Sequence, residues 1–365
     1  MGPKTKKKIL LINSLDERYG STYRARSIWH ALRSLGLECT YVESNYREDT
    51  PGVISVRQDD SLWGYLRASL RRAVIVLRES CQGIIIQKIT PLTFFAIISA
   101  FLRGKPLIVD WDDLDAEFQR TPLRKSLTRS LERILAPICR CICTHSKFIT
   151  TYAKKRGARH VFYLPQVVDT EFFNSKRVNP QKEKARLGLL DKVVFGYAGT
   201  FTEGGMRDFD IILSFFKEYF HSGQFFLLIV GGGPSQRIVE DAIREKYGLT
   251  NYLITGLIPQ ESVPDYIAAM DICFIYMRDN IGNRARVSLK LLEYLAMQKV
   301  VFGQVVGETK ELFGRYVSDF EELRVHDLRD SLLKKQGGLI EVRCTIEEKY
   351  SLKAMMEGLK QEGII

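Results

Sequence analysis

The sequence predicts an α/β protein with two Rossmann-like domains, each a doubly wound parallel sheet, which face each other across a cleft. In both halves of the chain, short continuous apolar runs alternate with amphipathic helical patterns. Strands that are buried on both faces have such continuous apolar runs. The 365 residues are enough for two domains with separate cores. We place the first domain at residues 1–170, the second at 171–345 and a last helix at 346–365.

In the first half, the apolar runs predict six strands, at 9–12, 39–42, 83–87, 107–110, 138–144 and 161–164. Helical patterns lie between them, near 22–35, 62–79, 92–102, 123–135 and 147–156. Helices in these positions are the crossover connections that a parallel sheet needs.

The second half repeats this alternation after a polar segment. Residues 166–192 are mixed and polar and contain Asn179-Pro180, which is typical of a linker. The next strands are predicted at 193–197, 226–230, 252–255, 272–276 and 300–302. Ligands of doubly wound sheets bind at the carboxyl ends of the strands, so candidate functional residues are sought there.

The positive charge of the chain is concentrated in its first half. The net charge is +11, but residues 1–165 contain 28 Lys and Arg against 15 Asp and Glu, and the remainder contains 26 against 28. An anionic membrane surface, a lipid-linked acceptor or a nucleic acid would suit such a domain. Because the sequence has no nucleic-acid recognition motif or aromatic platform, we do not expect a nucleic-acid partner.

Two features predict a cytoplasmic protein. No apolar run is long enough to cross a bilayer, and the strand-like run that follows the first lysines is too short for a signal peptide. Seven cysteines without framework spacing fit a reducing compartment. Peripheral association with the inner face of the membrane is compatible with both features.

Residues 288–299 combine the features of a nucleotide-binding helix. Ser288 is a good N-cap, no Gly or Pro follows in the next ten residues, and a strand begins after Lys299. Lys290 and Glu293 stand one turn apart near the positive end of this helix. Free amides and a lysine suit a diphosphate, and a carboxylate suits a ribose diol. The alternative is an ordinary surface ion pair, which spacing alone favours.

Two glycine-containing loops offer further binding groups. Gly20 and Ser21 precede a helix, where backbone amides can approach a phosphate, and Arg24 and Arg26 add charge beside them. A plain helix cap is the alternative. The second loop, 231–233, consists of three glycines after a buried strand.

The three glycines do not predict an NAD site. The G-x-G-x-x-G fingerprint needs a third glycine where Gln236 stands, and no acidic residue ends the next strand to bind a ribose. Contact with a diphosphate and a plain glycine-rich turn both remain open for Gly231 and Gly233.

Four carboxylates stand at the end of the predicted strand at 107–110, in the run Asp110-Trp111-Asp112-Asp113-Leu114-Asp115. This strand end is a position where a doubly wound fold places ligand groups. The cluster could hold Mg²⁺, or single carboxylates could cap a helix or stabilise a loop.

Residues 62–79 form a basic amphipathic pattern. A near-helical stripe of apolar residues is surrounded by arginines and by Trp63, with no acidic residue before Glu79; the stripe consists of Leu62, Leu66, Leu70, Ala73 and Leu77. A membrane-surface helix has this composition. The alternative is a helix that packs its stripe on the sheet.

Several motifs together resemble one known family. The run S-x-K-x-x-E-Y-x-A-x-x-K-x-V at 288–301 is similar to the C-terminal signature of the retaining GT-B glycosyltransferases of family 4, the group 1 glycosyltransferases. Further similar segments are V-F-G-Y-A-G at 194–199, F-L-L-I-V-G-G-G at 226–233, Gly256, V-P-D-Y at 263–266, A-M-D-I at 269–272 and Pro165 with Val168, Asp169 and Phe172.

The resemblance implies roles for these residues. It implies a GT-B fold whose C-terminal helix crosses back to the first domain. Glu293 would bind the ribose, and Lys290 and Arg207 the diphosphate of a UDP- or GDP-linked sugar. The backbone would contribute at the glycine turns and at the helix starts, namely at Gly20, Ser21, Gly199, Gly231, Gly233, Gly256, Ser288 and Leu289.

The chain departs from the family pattern at three positions. Thr200 replaces the family's Arg, and Arg207 stands in for its Lys only if two extra loop residues are allowed. Ala285 replaces the first glutamate of the E-x7-E motif, for which Asp279, Asn280, Arg284 or Arg286 could substitute. No His lies between His30 and His145 to match the family's active-site His, so we expect Asp112 or Asp113 to be catalytic.

We therefore predict a retaining glycosyltransferase that moves a sugar from a nucleotide-sugar to a lipid-linked or surface-glycan acceptor. No metal and no cofactor besides the donor substrate are expected. The alternative is a GT-B scaffold that has lost catalysis with Ala285 and Thr200 and binds a membrane or glycan.

Overall fold

The computed structural model describes residues 7–17, 20–59, 61–119, 121–201, 203–220, 222–320 and 328–363, without the side chains of 203–207 and 328–337. The chain folds into two units. The first contains the residues up to Val167, together with Arg284–Val287 and the segment that begins at Leu352. The second contains Val168–Asn283 and Ser288–Ser351.

In its described part, the first unit has a seven-stranded parallel sheet. The strands are β1 (Lys8–Ile12), β2 (Glu38–Ser44), β3 (Val53–Val56), β4 (Gly83–Gln87), β5 (Leu107–Asp110), β6 (Cys141–Thr144) and β7 (Val161–Tyr163). Their order is β3-β2-β1-β4-β5-β6-β7, and every neighbouring pair is parallel. The chain thus runs outward from β1 in both directions, which is the doubly wound arrangement that the sequence predicts.

The helices of this sheet begin where the sequence supplies capping residues. They are α1 (Gly20–Ser34), α2 (Leu62–Arg78), α3 (Phe94–Leu102), α4 (Pro122–Leu135) and α5 (Lys147–Lys155). The hydroxyls of Ser61, Thr121 and Ser146 accept hydrogen bonds from backbone amides in the first turns of α2, α4 and α5. Each cap satisfies an amide that the helix itself leaves without a partner.

Two hydrophobic clusters cover the two faces of this sheet. One contains residues of α2, α3, α4 and α5, including Ala68, Ala96 and Leu135. The other contains residues of α1, including Ile28. The helices α2 to α4 therefore share one side of the sheet, and α1 lies on the other.

The second unit contains a six-stranded parallel sheet within the described residues. Its strands are β8 (Val193–Ala198), β9 (Phe225–Val230), β10 (Tyr252–Ile254), β11 (Ile272–Tyr276), β12 (Val300–Gln304) and β13 (Val317–Ser318), in the order β10-β9-β8-β11-β12-β13. Its helices are α6 (Pro180–Arg186), α7 (Glu203–Tyr219), α8 (Gln236–Asp241), α9 (Val263–Ala269), α10 (Ile281–Arg284), α11 (Leu289–Ala296), α12 (Gly307–Phe313) and α13 (Leu328–Lys349). The α10 helix ends at Arg284, which belongs to the first unit.

The C-terminal helical pattern forms two helices rather than one. After α13, the chain turns at Tyr350 and Ser351 and continues as α14 (Leu352–Gln361). Met355 and Leu359 of α14 are buried in the same cluster as α1. The α14 helix is therefore part of the core of the first unit.

The predicted linker at 166–192 is wrong in part, because it contains α6. Asn179 accepts hydrogen bonds from the amides of Gln181 and Lys182, and Pro180 occupies the first helical position. Asn followed by Pro is thus a helix start here rather than a turn.

Among the helices of the described residues, none combines the length and the apolar composition of a membrane span.

Candidate functional site

In the second unit, α11 is fixed at its start by Ser288. The Ser288 hydroxyl accepts a hydrogen bond from the amide of Leu291, and the Ser288 amide donates to the Thr309 hydroxyl at 3.1 Å. Leu289 and Lys290 form the first turn of this eight-residue helix. The cap therefore sets the direction in which the first-turn residues leave the helix.

Lys290 reaches across to the turn that follows β8. Its Nζ donates to the Tyr197 hydroxyl at 2.5 Å and lies 3.8 Å from the centre of the Tyr197 ring. A Cβ on Gly199 would stand 2.6 Å from the same Nζ. The ammonium thus lies directly against the backbone of the glycine turn, at the carboxyl end of a central strand.

Tyr294 ties α11 to the same strand. Its side chain is fully buried, and its hydroxyl accepts a hydrogen bond of 2.7 Å from the amide of Ala198. In the sequence, Tyr294 is one position of the 288–301 motif, and no local pattern predicts this contact. A buried hydroxyl needs a partner, and this one holds the helix in place beside the turn.

Glu293 lies one turn after Lys290 and is only partly buried. Burial raises the pKa of its carboxyl to about 7, and the nearby Lys290 charge opposes that rise. Among the described residues, none donates a hydrogen bond to this carboxylate. The environment therefore leaves a carboxyl group that can accept hydrogen bonds from a ligand once it is ionised.

Four glycines meet where β8, β9 and β10 end. A Cβ on Gly231 would stand 2.2 Å from the Gly199 carbonyl oxygen, and Gly231 has a φ of +125°. Gly231 also forms a bridge with Gly256. A Cβ on Gly233 would stand 2.6 Å from the Phe201 carbonyl oxygen. Gly231 and Gly233 require glycine because a Cβ at either position would meet backbone atoms.

Replacing Gly231 with Ala should therefore destabilise the second unit by at least ~2 kcal/mol, because the methyl group meets backbone rather than a flexible side chain. Urea unfolding of wild type and variant measures this. Gly223→Ala is the matched control, since a Cβ at Gly223 meets nothing within 4 Å. Equal losses for the two variants would contradict the close approach.

The pKa of Glu293 predicts how donor binding depends on pH. If Glu293 binds the ribose as the family resemblance implies, the diol donates to the ionised carboxylate, so binding should tighten as the pH rises through about 7. Between about pH 6 and about pH 8 the ionised fraction rises about tenfold, and the affinity for UDP-glucose should follow it. Calorimetry across this range should show no such change in Glu293→Gln. A wild-type affinity that falls with rising pH would contradict this role.

The side chain of Arg207 lies outside the described residues, so its assignment to the diphosphate stays a prediction. Asp208, the next residue, forms an ion pair with Arg278. Thr200 lies near the glycine turns, since its methyl carbon would be 3.1 Å from a Cβ on Gly233.

In the first unit, the start of α1 faces the residues that follow β4 and β5. A Cβ on Gly20 would meet nothing within 4 Å, so the backbone there is open. The Ser21 hydroxyl donates to Asp113 at 3.2 Å, and the Ser21 backbone carbonyl accepts a hydrogen bond from the side-chain amide of Gln87 at 2.7 Å. The predicted glycine loop and the predicted Asp cluster therefore meet.

A buried lysine that sequence reasoning missed holds the Asp cluster together. Lys88 Nζ lies 2.9 Å from Asp112, 3.1 Å from Asp113 and 3.0 Å from Asp115. Its backbone has a φ of +69°, which is unusual for a residue with a side chain. The Lys88 amide donates to the Asp110 carbonyl at 2.9 Å, which helps hold this conformation. Such strain points to a local functional constraint.

The three carboxyl groups respond differently to their surroundings. Burial raises the pKa of Asp112 to about 6 and that of Asp115 to about 7, although Lys88 opposes both shifts. The pKa of Asp113 is lowered because Lys88 and Arg286 together outweigh the effect of its burial. Lys88 itself is buried, which alone would lower its pKa, but the three carboxylates raise it well above the usual value.

The ammonium of Lys88 occupies the position that the sequence suggested for Mg²⁺. Among the described residues, no group of three or more His, Cys, Asp or Glu side chains could hold a metal ion. Asp112 is buried against Lys88, whereas the side chain of Asp113 is 19% exposed. Of the two predicted catalytic residues, Asp113 is the one that a substrate can reach.

The expectation that Arg24 and Arg26 add charge at the start of α1 is wrong. Arg24 is buried and forms a forked ion pair with Asp110, with its Nη2 at 2.7 Å. Arg26 pairs with Glu43 at 2.7 Å. Both guanidinium groups are neutralised within the fold, so neither is available for a phosphate.

Ala285, which replaces a glutamate of the family motif, is fully buried in the hydrophobic cluster of the first unit. Arg286, the following residue, belongs to the same unit, and its guanidinium lies 5.8 Å from the centre of the Phe118 ring. Its charge also lowers the pKa of Asp113. Of the four proposed substitutes for the glutamate, Arg286 is thus close to a predicted catalytic residue.

Part of the second unit matches a known family. Residues 192–325 match the family model described as glycosyl transferases group 1. TuaH of Bacillus subtilis (strain 168), a protein assigned to teichuronic acid biosynthesis as a glycosyltransferase, is 24% identical over 242 residues. That match covers 62% of this chain and 57% of TuaH, so it spans little more than half of the relative.

Solved structures match over nearly the whole chain. A sucrose-phosphate synthase from Thermosynechococcus elongatus has a TM-score of 0.75 at 13% identity, with 98% of each chain covered. HepE of Anabaena in complex with UDP-glucose has a TM-score of 0.70 at 12% identity, with 98% of this chain and 100% of HepE covered. At these identities the likeness is one of fold. The chain therefore has the GT-B fold, and the match to the model of the group 1 glycosyltransferases is confined to residues 192–325.

Proposed function

We propose that this protein is a glycosyltransferase that moves a sugar from a UDP- or GDP-linked donor to a lipid-linked or surface-glycan acceptor, with retention of anomeric configuration. The observation that carries the proposal is the arrangement of Lys290 and Glu293 on the first turns of α11. One supplies a cation against the Gly199 turn, and the other supplies a carboxyl group without a described hydrogen-bond donor.

In this proposal, the second unit binds the nucleotide. Lys290 and the first amides of α11 carry the positive charge that the diphosphate needs, and Glu293 accepts hydrogen bonds from the ribose. When the bond between sugar and phosphate breaks, negative charge grows on the diphosphate. A fixed ammonium beside it stabilises that charge in the transition state. The bound UDP-glucose of HepE, a protein of the same fold, agrees with this kind of donor.

The first unit would contribute the acceptor side. Asp113 keeps some exposure, and its lowered pKa keeps it ionised at neutral pH. An ionised carboxylate at a strand end can accept a hydrogen bond from an acceptor hydroxyl and orient it. Asp112 is buried against Lys88 and Gln87, so we assign it a positioning role.

A panel of nucleotide-sugars tests the proposal through release of nucleotide from each donor. We expect turnover of at least one donor, and a loss of at least about 100-fold in Lys290→Met if the ammonium stabilises the leaving group. The anomeric configuration of the first product, read by proton NMR, tests retention. Absence of turnover with every donor would contradict the proposal and favour the inert scaffold, whether or not a donor binds.

A further inference from the structure

The outward face of α2 is apolar, so of the two alternatives for its stripe, packing on the sheet does not hold for most of its residues. Ala68 and Val76 face the core and are buried. Four leucines of the stripe and the tryptophan are instead exposed: Leu62 by 84%, Trp63 by 73%, Leu66 by 39%, Leu70 by 45% and Leu77 by 54%. Ala73, the remaining residue of the stripe, is buried. A soluble surface seldom presents so many large apolar side chains on one helix.

The arginines of α2 flank this row on the same side. Arg67, Arg71 and Arg78 are exposed, and only Arg72 turns inward. Arg72 donates to the Ser44 hydroxyl at 2.5 Å. The sequence has no acidic residue from 62 to 78, so the charge on this face of α2 is purely positive.

The α4 helix, on the same side of the sheet, repeats the pattern. Leu123, Leu127 and Ile134 are exposed by 79%, 49% and 61%. Arg124 and Arg133 are exposed beside them, whereas the exposed Arg129 forms an ion pair with Glu117 at 2.7 Å. The one acidic residue of α4, Glu132, is buried, and its carboxylate accepts a hydrogen bond from Tyr152 at 2.6 Å. We call the exposed residues of α2 and α4 together the α2/α4 face.

We propose that the α2/α4 face docks on the surface of an anionic lipid bilayer. Apolar side chains and a tryptophan need a medium of low polarity, and the arginines need negative charge close by. The interface of an anionic bilayer offers both along one plane. A nucleic acid would leave the leucines in water, and a second copy of this face would bring like charges together.

One end of the α2/α4 face lies at the same edge of the sheet as the residues that we assign to the acceptor side. Each helix of a parallel sheet starts where the preceding strand ends, so the starts of α2 and α4 lie at the carboxyl edge of the sheet. Ser21 and Asp113 lie at that same edge. A docked bilayer would thus border the residues that we assign to the acceptor side, and this extension rests on the proposed function. The proposal that the α2/α4 face docks on a bilayer does not rest on the proposed function.

The fluorescence of Trp63 should report docking directly. The other two tryptophans, Trp29 and Trp111, are buried, so the emission of Trp63 should respond to lipid. We expect a blue shift when vesicles of phosphatidylcholine with about one third phosphatidylglycerol are added, and quenching by brominated lipid in the same vesicles. Trp63→Phe should show neither change.

Flotation with the same vesicles at physiological salt tests the two contributions separately. Trp63→Ser with Leu66→Ser should weaken retention at least about tenfold, whereas the control Leu190→Ser with Ile238→Ser, two exposed apolar residues of the second unit, should not. Replacing Arg67, Arg71 and Arg78 by Gln should weaken it on the order of 100-fold. The control replaces Lys154, Lys155 and Arg159 by Gln, which removes equal charge from another exposed surface.

Four outcomes would overturn the proposal. They are no retention of the wild type, equal retention on neutral phosphatidylcholine vesicles, equal losses in the variants and their controls, and self-association that Trp63→Ser abolishes without any vesicle binding. Calorimetry of UDP-glucose binding on the same variants should show unchanged affinity, because none of these residues belongs to the nucleotide site. Docking and donor binding can therefore fail independently.

Discussion

Replacing Lys290 with Met should weaken the binding of UDP-glucose about 10- to 150-fold, because the diphosphate loses a hydrogen bond to a charged donor worth about 1.5–3 kcal/mol. The methionine keeps most of the volume of the side chain beside Gly199, so the fold should not change. Calorimetry of the wild type and the variant measures the affinity. If the protein uses a GDP-linked donor instead, the same comparison is made with GDP-mannose.

The control for this measurement is Lys182→Met, which removes one exposed cation from the same unit, far along the chain from α11. Its affinity should equal that of the wild type. Unfolding curves of both variants should also match the wild type, since Lys290 donates only to a partly exposed Tyr197. An unchanged affinity in Lys290→Met would remove the main support for a nucleotide site on α11.

Replacing Lys88 with Met should lower the free energy of unfolding of the first unit by about 3–5 kcal/mol at about pH 8, since it leaves buried carboxylates without their cation. Three aspartates lie within 3.1 Å of its ammonium. In the wild type the ammonium offsets the cost of burying their charges. The methionine fills the space but supplies no charge.

The loss should be smaller at about pH 5 than at about pH 8. Without Lys88, the folded-state pKa values of Asp112 and Asp115 rise further above the unfolded value of about 3.9, and the lowered pKa of Asp113 rises as well. The folded protein then binds more protons than the unfolded chain between these values, so its stability increases as the pH falls. Urea unfolding at the two pH values measures the difference. Lys154→Met, which removes an exposed lysine of the same unit, should cost less than about 0.5 kcal/mol at either pH.

An equal loss for Lys88→Met at both pH values would contradict this account, because it would mean that the carboxyl groups do not sense the cation. A loss as small as that of the control would show that the cluster is open to water. Either result would also weaken the assignment of Asp112 as a positioning residue.

Much of the fold could be predicted because each buried strand is a short continuous apolar run, which is visible in the local sequence. The strands at 83–87, 107–110 and 272–276 are confirmed to the residue as β4, β5 and β11. The edge strands β3 and β13 were missed, since they are short and only partly buried. The strand predicted at 138–144 is shorter because Ala136–Ile138 forms a 3₁₀ turn.

The candidate site was predicted only where its residues lie close in sequence. Lys290 and Glu293 share a helix, and their spacing places them on one face. The contact of Lys290 with Tyr197 and Gly199 spans more than 90 residues, and no local pattern encodes it. Lys88 likewise looks ordinary in the sequence, and its role depends on β4 and β5 being neighbours in the sheet.

The sequence by itself determined the α/β class, the alternation of strands and helices, and the residue types at the strand ends, because periodicity and capping act over a few residues. Only the tertiary structure decided which arginines are neutralised, that Lys88 sits among three aspartates, and that the leucines of α2 point outward. Those outcomes depend on which elements pack together, and an amphipathic helix can turn its apolar stripe toward the core or away from it. Burial of Ala68 and Val76 against the sheet settled that choice for α2.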